Sequence, residues 1–552
     1  MTRIPVCAAL ACLSLTRLAA GQTTALPPIN SDSLRVHLYV IAADSMGGRQ
    51  TGELGDWKTQ EWVAKQFSAA GLKPAGDSGT FFQVIPFRRI APDLASRIRT
   101  PSTELAVRTD FLPLGQTPLP LDGTHAVFAG SIAHPDSLVD SATAAGHLLI
   151  VAVPESLQGL RRIFEGLAPL AQTPAYRSGI GVALVALDRF APDIIPQVLA
   201  GILRTDTAYT PRPGARPLVV VTPAAATALL GRELSAARPG MLGPLLRGGI
   251  RYTVQPLAYP ARNIIAILPG SDPRLSHEYV SLSAHHDHVG FAGRPVDHDS
   301  VYAYNRVVRP MGADSPMRPA TAAENARVAA IRDSMTRLAP SRPDSIFNGA
   351  DDDGSGTVAL VELARTVAAG PHPRRSLLFV SHAAEERGLL GSAWFTDHPT
   401  VSRDSIVGEI DMDMVGRGDA TDLPKGGPGY LEVIGAKRLS TEFGTLLEQV
   451  NTLQPVPFSF NYEFDAPGHP LQYYCRADHY SYARFGIPAV ALSRGEHADY
   501  HQVTDEPQYI DYRAIARVAG LVRDFALAVA NLDHRPPVDG PRPADPHAPC
   551  RQ

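Results

Sequence analysis

Cysteine is scarce in this chain of 552 residues, which contains four. Two of them, Cys7 and Cys12, lie near the start, so only Cys475 and Cys550 remain for the body of the protein. This number excludes a framework of several disulfides and a zinc site made of cysteines. A metal site in this chain must therefore be built from histidines and carboxylates.

Lysine is scarce as well, with five lysines against 46 arginines, and the formal net charge is −4. Basic residues are interspersed with acidic ones and form no basic stripe, which argues against nucleic acid as a partner. Beyond the leader, no run of about 18 uninterrupted apolar residues occurs, so we predict no transmembrane helix. The remaining composition, 44% apolar and 19% charged, is typical of a folded globular protein.

The first 21 residues resemble a secretory signal peptide. Arg3 precedes an apolar stretch, and the small residues Ala19-Ala20-Gly21 offer a cleavage site. We therefore expect a secreted or periplasmic protein. Lipid modification at Cys12 is a less favoured alternative, because the residues before it fit an acylation motif poorly.

The length predicts two to four domains, at roughly 100 to 200 residues per domain. From Ala261 onward strand-like and helix-like segments alternate, which indicates an α/β fold with a mostly parallel sheet covered on both faces. The insertion at 297–345 is either a rim or lid or a passive surface excursion. We divide the chain into a signal peptide (1–21), the N-terminal part of the main domain (22–110), an inserted β-rich domain (111–256), the main metal-binding domain (257–533, with the insertion 297–345) and a Pro-rich disordered tail (534–552).

Metal-seeking side chains recur in five short segments, and three of these segments follow apolar, strand-like runs. Open α/β sheets gather functional groups at the carboxyl ends of their strands, so we expect these residues to lie together. The three runs and the residues after them are Tyr279–Ser283 with His285, Ser376–Val380 with Glu385 and Glu386, and Ile406–Ile410 with Asp413.

The five segments supply one complete ligand set for two metal ions. Two ions about 3.5 to 4 Å apart can activate a water and polarise the bond to be hydrolysed. We assign Asp352 as the bridging carboxylate, His285 and Asp413 to one ion, and Glu386 and His501 to the other. The pattern therefore predicts a two-metal hydrolase site.

Two further carboxylates have a predicted role beside the metal ligands. Glu385 is left over next to Glu386 and is suited to take a proton from the attacking water and pass it to the leaving amine. Asp287 is expected to accept a hydrogen bond from the second ring nitrogen of His285 and so set its tautomer. The neighbouring His286 and His288 are assigned to packing or hydrogen bonding.

These segments, in this order, resemble the successive signatures of the M28 family of metallopeptidases. The resemblance implies a three-layer α/β/α sandwich around a mixed, mostly parallel sheet, two zinc ions and aminopeptidase activity on peptides. His and carboxylate shells also accept cobalt or manganese. The matching segments are Ser283–Gly290, Gly349–Gly356, Glu385–Ser392, Asp413–Arg417 and Asp499–His501.

The resemblance carries two further expectations. The inserted domain resembles a protease-associated domain, which either restricts the pocket to small substrates or supports a homodimer. Tyr474, four residues before Asp478, is expected to stabilise the oxyanion, although Ala477 stands where the family usually has serine.

Three alternative functions stay open from the sequence. The same fold serves carboxypeptidases and dipeptidases. No residue is identified that would bind the free amine or the free carboxylate of a substrate. A glutaminyl cyclase is less favoured because it works with one metal. An inactive, receptor-like binding protein is disfavoured because no ligand is missing.

Overall fold

The computed structural model describes residues 26–157, 160–190, 194–205, 216–316, 318–418 and 426–552. The predicted signal peptide, residues 1–21, lies outside the described residues. None of the described helices combines the length and the apolar character that a membrane crossing needs.

The main domain is built on one sheet of nine strands, with a separate two-stranded pair beside it. The four strands at the centre of the sheet are parallel to one another, and the outer strands make the sheet mixed. In chain order the strands are β1 Lys73–Pro74, β2 Phe82–Val84, β3 Arg262–Leu268, β4 Tyr279–His285, β5 Gly290–Asp297, β6 Pro343–Phe347, β7 Ser376–His382, β8 Ile406–Met412, β9 Tyr430–Ile434, β10 Ser459–Asn461 and β11 Ala489–Ser493.

The order across the sheet is β1-β3-β7-β4-β8-β11-β9-β10, with β2 also paired to β3, while β5 pairs with β6. Strands β7, β4, β8 and β11 form the parallel centre. Since parallel strands end at the same edge of the sheet, the segments after β4, β7 and β8 meet there.

Helices cover both faces of this sheet, as the predicted three-layer α/β/α sandwich requires. Side chains alternate along the buried strands: Ile264 and Ala266 enter one core with α1, α2, α5, α7 and α9, whereas Ile265 enters the other with α6 and α8. The helices are α1 Ser31–Ile41, α2 Leu54–Ala69, α3 His298–Val308, α4 Ala322–Leu338, α5 Gly356–Ala368, α6 Leu390–Asp397, α7 Thr441–Thr452, α8 His479–Ala483 and α9 Tyr512–Asn531.

The inserted domain has its own nine-stranded sheet, and its strands begin at Arg97, earlier than the predicted boundary at residue 111. The first strands escaped prediction because they are short and carry charged residues. Its strands are Arg97–Arg99, Glu104–Ala106, Phe111–Leu114, Leu119–Pro120, Thr124–Ser131, Leu148–Ala152, Gly181–Val185, Leu218–Val221 and Leu242–Ile250.

Among its described residues, five helices accompany this second sheet and four of its strands are parallel, so the insert is itself an α/β unit. A three-stranded sheet of Arg88–Pro92, Ile202–Arg204 and Tyr252–Pro256 carries the chain into and out of it. The likeness to a protease-associated domain stays a prediction. The helices are Ser141–Ala144, Leu160–Ala171, Pro174–Ser178, Ile194–Ala200 and Pro223–Leu230.

The Pro-rich tail, 534–552, lies against the main domain, which differs from the predicted disorder. Cys550 forms a disulfide with Cys475. The Gln552 side chain accepts a hydrogen bond from the Tyr474 amide (3.0 Å) and donates one to the Phe464 carbonyl (2.6 Å). Composition predicted disorder because it does not report a crosslink formed with a distant residue.

Candidate metal centre

The carboxyl ends of β4, β7 and β8 bring three of the five predicted segments to one place. His285 is the last residue of β4 and lies opposite His382 of the parallel strand β7. Glu385 and Glu386 follow β7, and Asp413 follows β8. The other two segments are loops: Asp352 precedes α5, and His501 precedes α9.

Asp352 lies between the two histidines of the predicted set. Its Oδ1 is 3.3 Å from His285 Nε2, and its Oδ2 is 3.0 Å from His501 Nε2. His501 Nε2 is also 3.0 Å from Glu386 Oε2, and His285 Nε2 is 3.7 Å from Asp413 Oδ1. The structure thus brings all five predicted metal ligands together, with Asp352 in the central position.

The ligand atoms form two groups, each able to surround one cation, with all atoms of a group within 4.8 Å of one another. One group contains His285 and Asp413, and the other contains Asp352, Glu386 and His501. The structure adds a residue to each, and sequence reasoning missed both. Asp353 joins the His285 group and His288 joins the His501 group.

The chemistry of these atoms fits metal cations. His285 Nε2, Asp352 Oδ2 and Asp413 Oδ1 are buried and form no hydrogen bond within the described part of the chain. Burying such atoms without a partner costs free energy, which a cation bound among them offsets. Nitrogen and oxygen donors of this kind suit zinc, cobalt or manganese.

The electrostatics point the same way. Burial works against a protonated imidazole, yet the carboxylates around His285 and His501 raise the pKa of both rings well above the usual range. Burial also raises the pKa of Asp413. The cluster therefore holds more negative charge than its surroundings neutralise, and it favours positive charge among these side chains.

The loop of Asp352 is fixed from several directions. Asp353 accepts hydrogen bonds from the amides of His285 (3.1 Å), Gly356 (2.9 Å) and Met414 (3.1 Å), which ties this loop to β4, β8 and the start of α5. The bond to the Gly356 amide reaches the first residue of α5.

A buried arginine from far upstream also holds this loop. Arg49 donates to the carbonyls of His286 (2.9 Å), Asn348 (2.6 Å) and Gly349 (2.7 Å). Nothing in the local sequence around Arg49 signals this long-range role.

Glu385 lies beside the predicted metal ligands, and its Oε2 is 3.9 Å from His285 Nε2. The preceding Ala384 adopts a left-handed conformation (φ 57°), which ends the strand geometry and lets Glu385 and Glu386 reach the same site. Burial raises the pKa of Glu385 well above its usual range, and Glu386 and Asp413 raise it further against the opposing effect of His285. A carboxylate with this environment is suited to accept and release a proton.

Asp287 differs in detail from its predicted role. The ring Nδ1 of His285 is 3.1 Å from the backbone carbonyl of Asp287 and 3.7 Å from its carboxylate, so the main-chain oxygen is the hydrogen-bond acceptor. The carboxylate instead accepts from Thr51 Oγ1 (2.7 Å) and the Glu385 amide (3.1 Å). Asp287 therefore positions both His285 and Glu385.

Left-handed backbone recurs at the site. Ala384, Met414 and His501 have φ values of 57°, 57° and 52°, and none is glycine. Such backbone conformations cost on the order of 1 to 3 kcal/mol each. They cluster at binding sites, where the surrounding structure holds them in place. Their positions beside Glu385 and Asp413, and at His501 itself, are consistent with that pattern.

The metal centre forms one wall of a cavity of about 280 Å³, which Glu385 and Asp413 also line. The tyrosines among its lining residues are Tyr473 and Tyr500, and Tyr474, the predicted oxyanion donor, is not among them. Tyr474 instead packs with its ring 4.1 Å from the Arg438 guanidinium. The left-handed Gln472 starts one turn of 3₁₀ helix at Tyr473–Cys475, and this turn decides which tyrosine faces the cavity.

Residues 263–526 match the model of peptidase family M28. The chain thus has a domain that is similar to peptidase family M28. This domain includes all five predicted metal ligands and Glu385, so the resemblance stated from the sequence is confirmed.

Curated relatives resemble the M28 domain over part of their length. Leucine aminopeptidase 1 of Paracoccidioides brasiliensis is 33% identical over 196 residues, which is 33% of this chain and 47% of the relative. Leupeptin-inactivating enzyme 1 of Streptomyces exfoliatus is 30% identical over 175 residues, 31% of this chain and 35% of the relative. The chain thus spans about half or less of the length of these relatives.

Two solved structures share the fold over nearly the whole chain. An aminopeptidase from Aneurinibacillus sp. strain AM-1 and the zinc aminopeptidase BSAP from Bacillus subtilis each give a TM-score of 0.50 at 15% identity. Each covers 93% of this chain, and the chain covers 98% and 99% of them. The predicted α/β class with a mixed sheet is confirmed.

Proposed function

We propose that the protein is a secreted or periplasmic metallo-aminopeptidase that removes N-terminal residues from peptides with two zinc ions. The observation that carries the proposal is the central position of Asp352, which faces His285 with one oxygen and His501 with the other. The family of the domain and the names of its relatives, leucine aminopeptidase among them, support peptide hydrolysis.

Each residue of the centre receives a role. His285 and Asp413 would hold one ion and Glu386 and His501 the other, with Asp352 available to both. Bound divalent ions would polarise the scissile carbonyl and lower the pKa of a water molecule. Asp353, Asp287 and Arg49 keep the loops that carry these ligands in place through the hydrogen bonds described above.

Glu385 moves the proton. Its carboxylate lines the cavity next to His285 and Asp413, where a substrate carbonyl would lie. It takes a proton from the attacking water on Oε2 and delivers it to the leaving amine. Burial raises the pKa of Glu385, which makes its carboxylate a stronger proton acceptor.

Tyr500 takes over the oxyanion role that the sequence gave to Tyr474. Tyr500 lines the cavity, and its ring stacks on that of His501 with centroids 4.1 Å apart. Its hydroxyl oxygen accepts a hydrogen bond from Arg476 Nη2 at 3.1 Å, which leaves the O–H free to donate to a substrate oxygen. Such a donor stabilises charge that develops in the transition state.

The disulfide supports a location outside the cytosol. Disulfides persist in oxidising compartments such as the periplasm and the extracellular space. The bond between Cys475 and Cys550 agrees with the signal-peptide pattern of residues 1–21.

The test is hydrolysis of aminoacyl p-nitroanilides and short peptides by purified protein loaded with zinc. We expect release of single N-terminal residues, loss of activity after chelation, and no cleavage of peptides with a blocked N-terminus. Release from the carboxyl end of N-blocked peptides would instead identify a carboxypeptidase. No hydrolysis of any substrate with both ions bound would overturn the proposal.

A further inference from the structure

The cavity extends beyond the metal centre to a second end that the proposed reaction does not use. Glu432 and Glu496 line this end. Glu432 lies in the middle of β9, two strands away from β8 in the sheet, and neighbouring strands are about 4.8 Å apart. The second end is therefore about 10 Å to the side of the strand that leads to Asp413.

The Glu432 side chain is 2% exposed, and only one of its two carboxylate oxygens has a hydrogen-bond partner among the described residues. Its Oε1 accepts a hydrogen bond from the Tyr430 hydroxyl at 2.7 Å. Its Oε2 is buried and has no hydrogen-bond partner within the described residues. A buried carboxylate oxygen without a partner is costly, and a donor supplied by a ligand would remove that cost.

Glu496 adds a second buried carboxylate, which is hydrogen-bonded to the Tyr473 hydroxyl. The nearest cation, Arg476, has Nη1 3.9 Å from Glu496 Oε1 but 2.5 Å from Asp314 Oδ2. Its charge is thus directed mainly at Asp314. Glu432 and Glu496 thus place two buried carboxyl groups at this end of the cavity, while the charge of the nearby Arg476 is directed elsewhere.

The lining of the cavity includes small and apolar residues, namely Ile434, Ala477, Ala491 and Gly495, and Ser493 pairs directly with Glu432. Such a lining leaves room for a methylene chain, and long basic side chains combine an apolar stem with a charged head.

We propose that this end of the cavity binds the side chain of the substrate's N-terminal residue and selects lysine or arginine. The inference rests on the proposed aminopeptidase function and names its substrate class. The stem lies along the apolar residues of the lining, and the ammonium or guanidinium group donates to Glu432 Oε2 and faces Glu496.

The protonation of the two acids agrees with this assignment. Burial raises the pKa of Glu432 to about 8 and that of Glu496 to about 7. Without a cation, ionising them side by side is unfavourable, and a bound cation reverses that preference.

In an alternative interpretation, Glu432 and Glu496 bind the substrate's α-ammonium group. That group is one bond from the carbon next to the scissile carbonyl and stays close to the metal centre, whereas Glu432 is about 10 Å to the side. The two interpretations differ in experiment, because every substrate has an α-ammonium group and only some have a cationic side chain.

The decisive experiment compares p-nitroanilides of arginine, citrulline and leucine on the zinc-loaded enzyme and on Glu432→Gln. Citrulline has nearly the shape of arginine without its charge. We expect kcat/KM for arginine to exceed that for citrulline at least ten-fold in the wild type. The arginine-to-leucine ratio should fall at least ten-fold in E432Q, while Glu463→Gln, which removes an exposed acid near the same strand, should leave this ratio within two-fold.

A wild-type ratio of arginine to citrulline near one would overturn the proposal. An equal loss for all three substrates in E432Q would also overturn it and assign Glu432 to the α-ammonium group. Calorimetric binding of L-argininamide and L-citrullinamide tests the cavity without turnover. Tighter binding of argininamide supports the proposal even if no hydrolysis is found, and equal binding contradicts it. A failure of this proposal is therefore distinguishable from a failure of the proposed aminopeptidase function.

Discussion

His288 Nδ1 lies 2.7 Å from Glu386 Oε1. The sequence assigned His288 to packing or hydrogen bonding, and the structure places it in the group around His501. A residue that orients a metal-binding carboxylate typically contributes about 10- to 100-fold to metal affinity or activity. His288→Ala should therefore lower zinc retention in dialysis and kcat/KM by this factor. The exposed His372→Ala serves as the control, and full zinc content in H288A would contradict the assignment.

Glu385→Gln should separate proton transfer from metal binding. The amide cannot accept the proton, so we expect kcat to fall by about 10²- to 10⁴-fold. Zinc content, measured by elemental analysis, should stay at two ions per chain. Glu386→Gln is the matched comparison, because it should lose zinc as well as activity. Normal turnover in E385Q would exclude Glu385 as the proton carrier.

Tyr500→Phe and Tyr474→Phe distinguish the two candidate oxyanion donors. Removing a donor to the oxyanion costs about 10²- to 10³-fold in kcat. We expect this loss in Y500F and less than a three-fold change in Y474F, since Tyr474 packs against Arg438 outside the cavity. Steady-state kinetics on one p-nitroanilide measures both. The opposite order would return the role to Tyr474.

Cys550→Ser should destabilise the main domain. The disulfide closes a loop with a sequence separation of 75 residues, and chain entropy puts the stabilisation from such a loop at about 4 kcal/mol as an upper value. Urea unfolding of the oxidised wild type, the reduced wild type and C550S measures the loss. Reduced wild type and C550S should coincide, and a C550S midpoint equal to that of the oxidised protein would refute the prediction.

The two acids of the cavity should make stability fall as the pH rises. Glu432 and Glu496 have folded-state pKa values of about 8 and about 7, whereas an unfolded glutamate titrates near about 4.3. Between these values the folded chain binds more protons than the unfolded chain, so the free energy of unfolding declines with pH. In E432Q with zinc bound, Tm relative to wild type should rise from pH 5 to pH 8. A difference in Tm between E432Q and wild type that does not change with pH would contradict this prediction.

The strand ends and the ligand types were predictable from sequence, because apolar runs followed by His, Asp or Glu report both topology and chemistry. His285, Glu386 and Asp413 came together for that reason. Contacts decided by three-dimensional geometry were not predictable: the choice of Tyr473 and Tyr500 over Tyr474 depends on the backbone at Gln472, and no local pattern distinguishes Arg49. The ordered tail likewise depends on a partner 75 residues away.

The insertion at 297–345 is attached to the loop that carries His501. Arg306 of α3 makes a bidentate ion pair with Asp499 (3.0 and 2.8 Å), and His298 Nε2 is 3.0 Å from Glu506 Oε2. The loop itself has no strand or α-helix between Ser493 and Tyr512, so these contacts act as its scaffold. Transfer of this site to a shorter relative would therefore have to include α3. Without α3, the loop that carries His501 would lose the contacts that hold it in place.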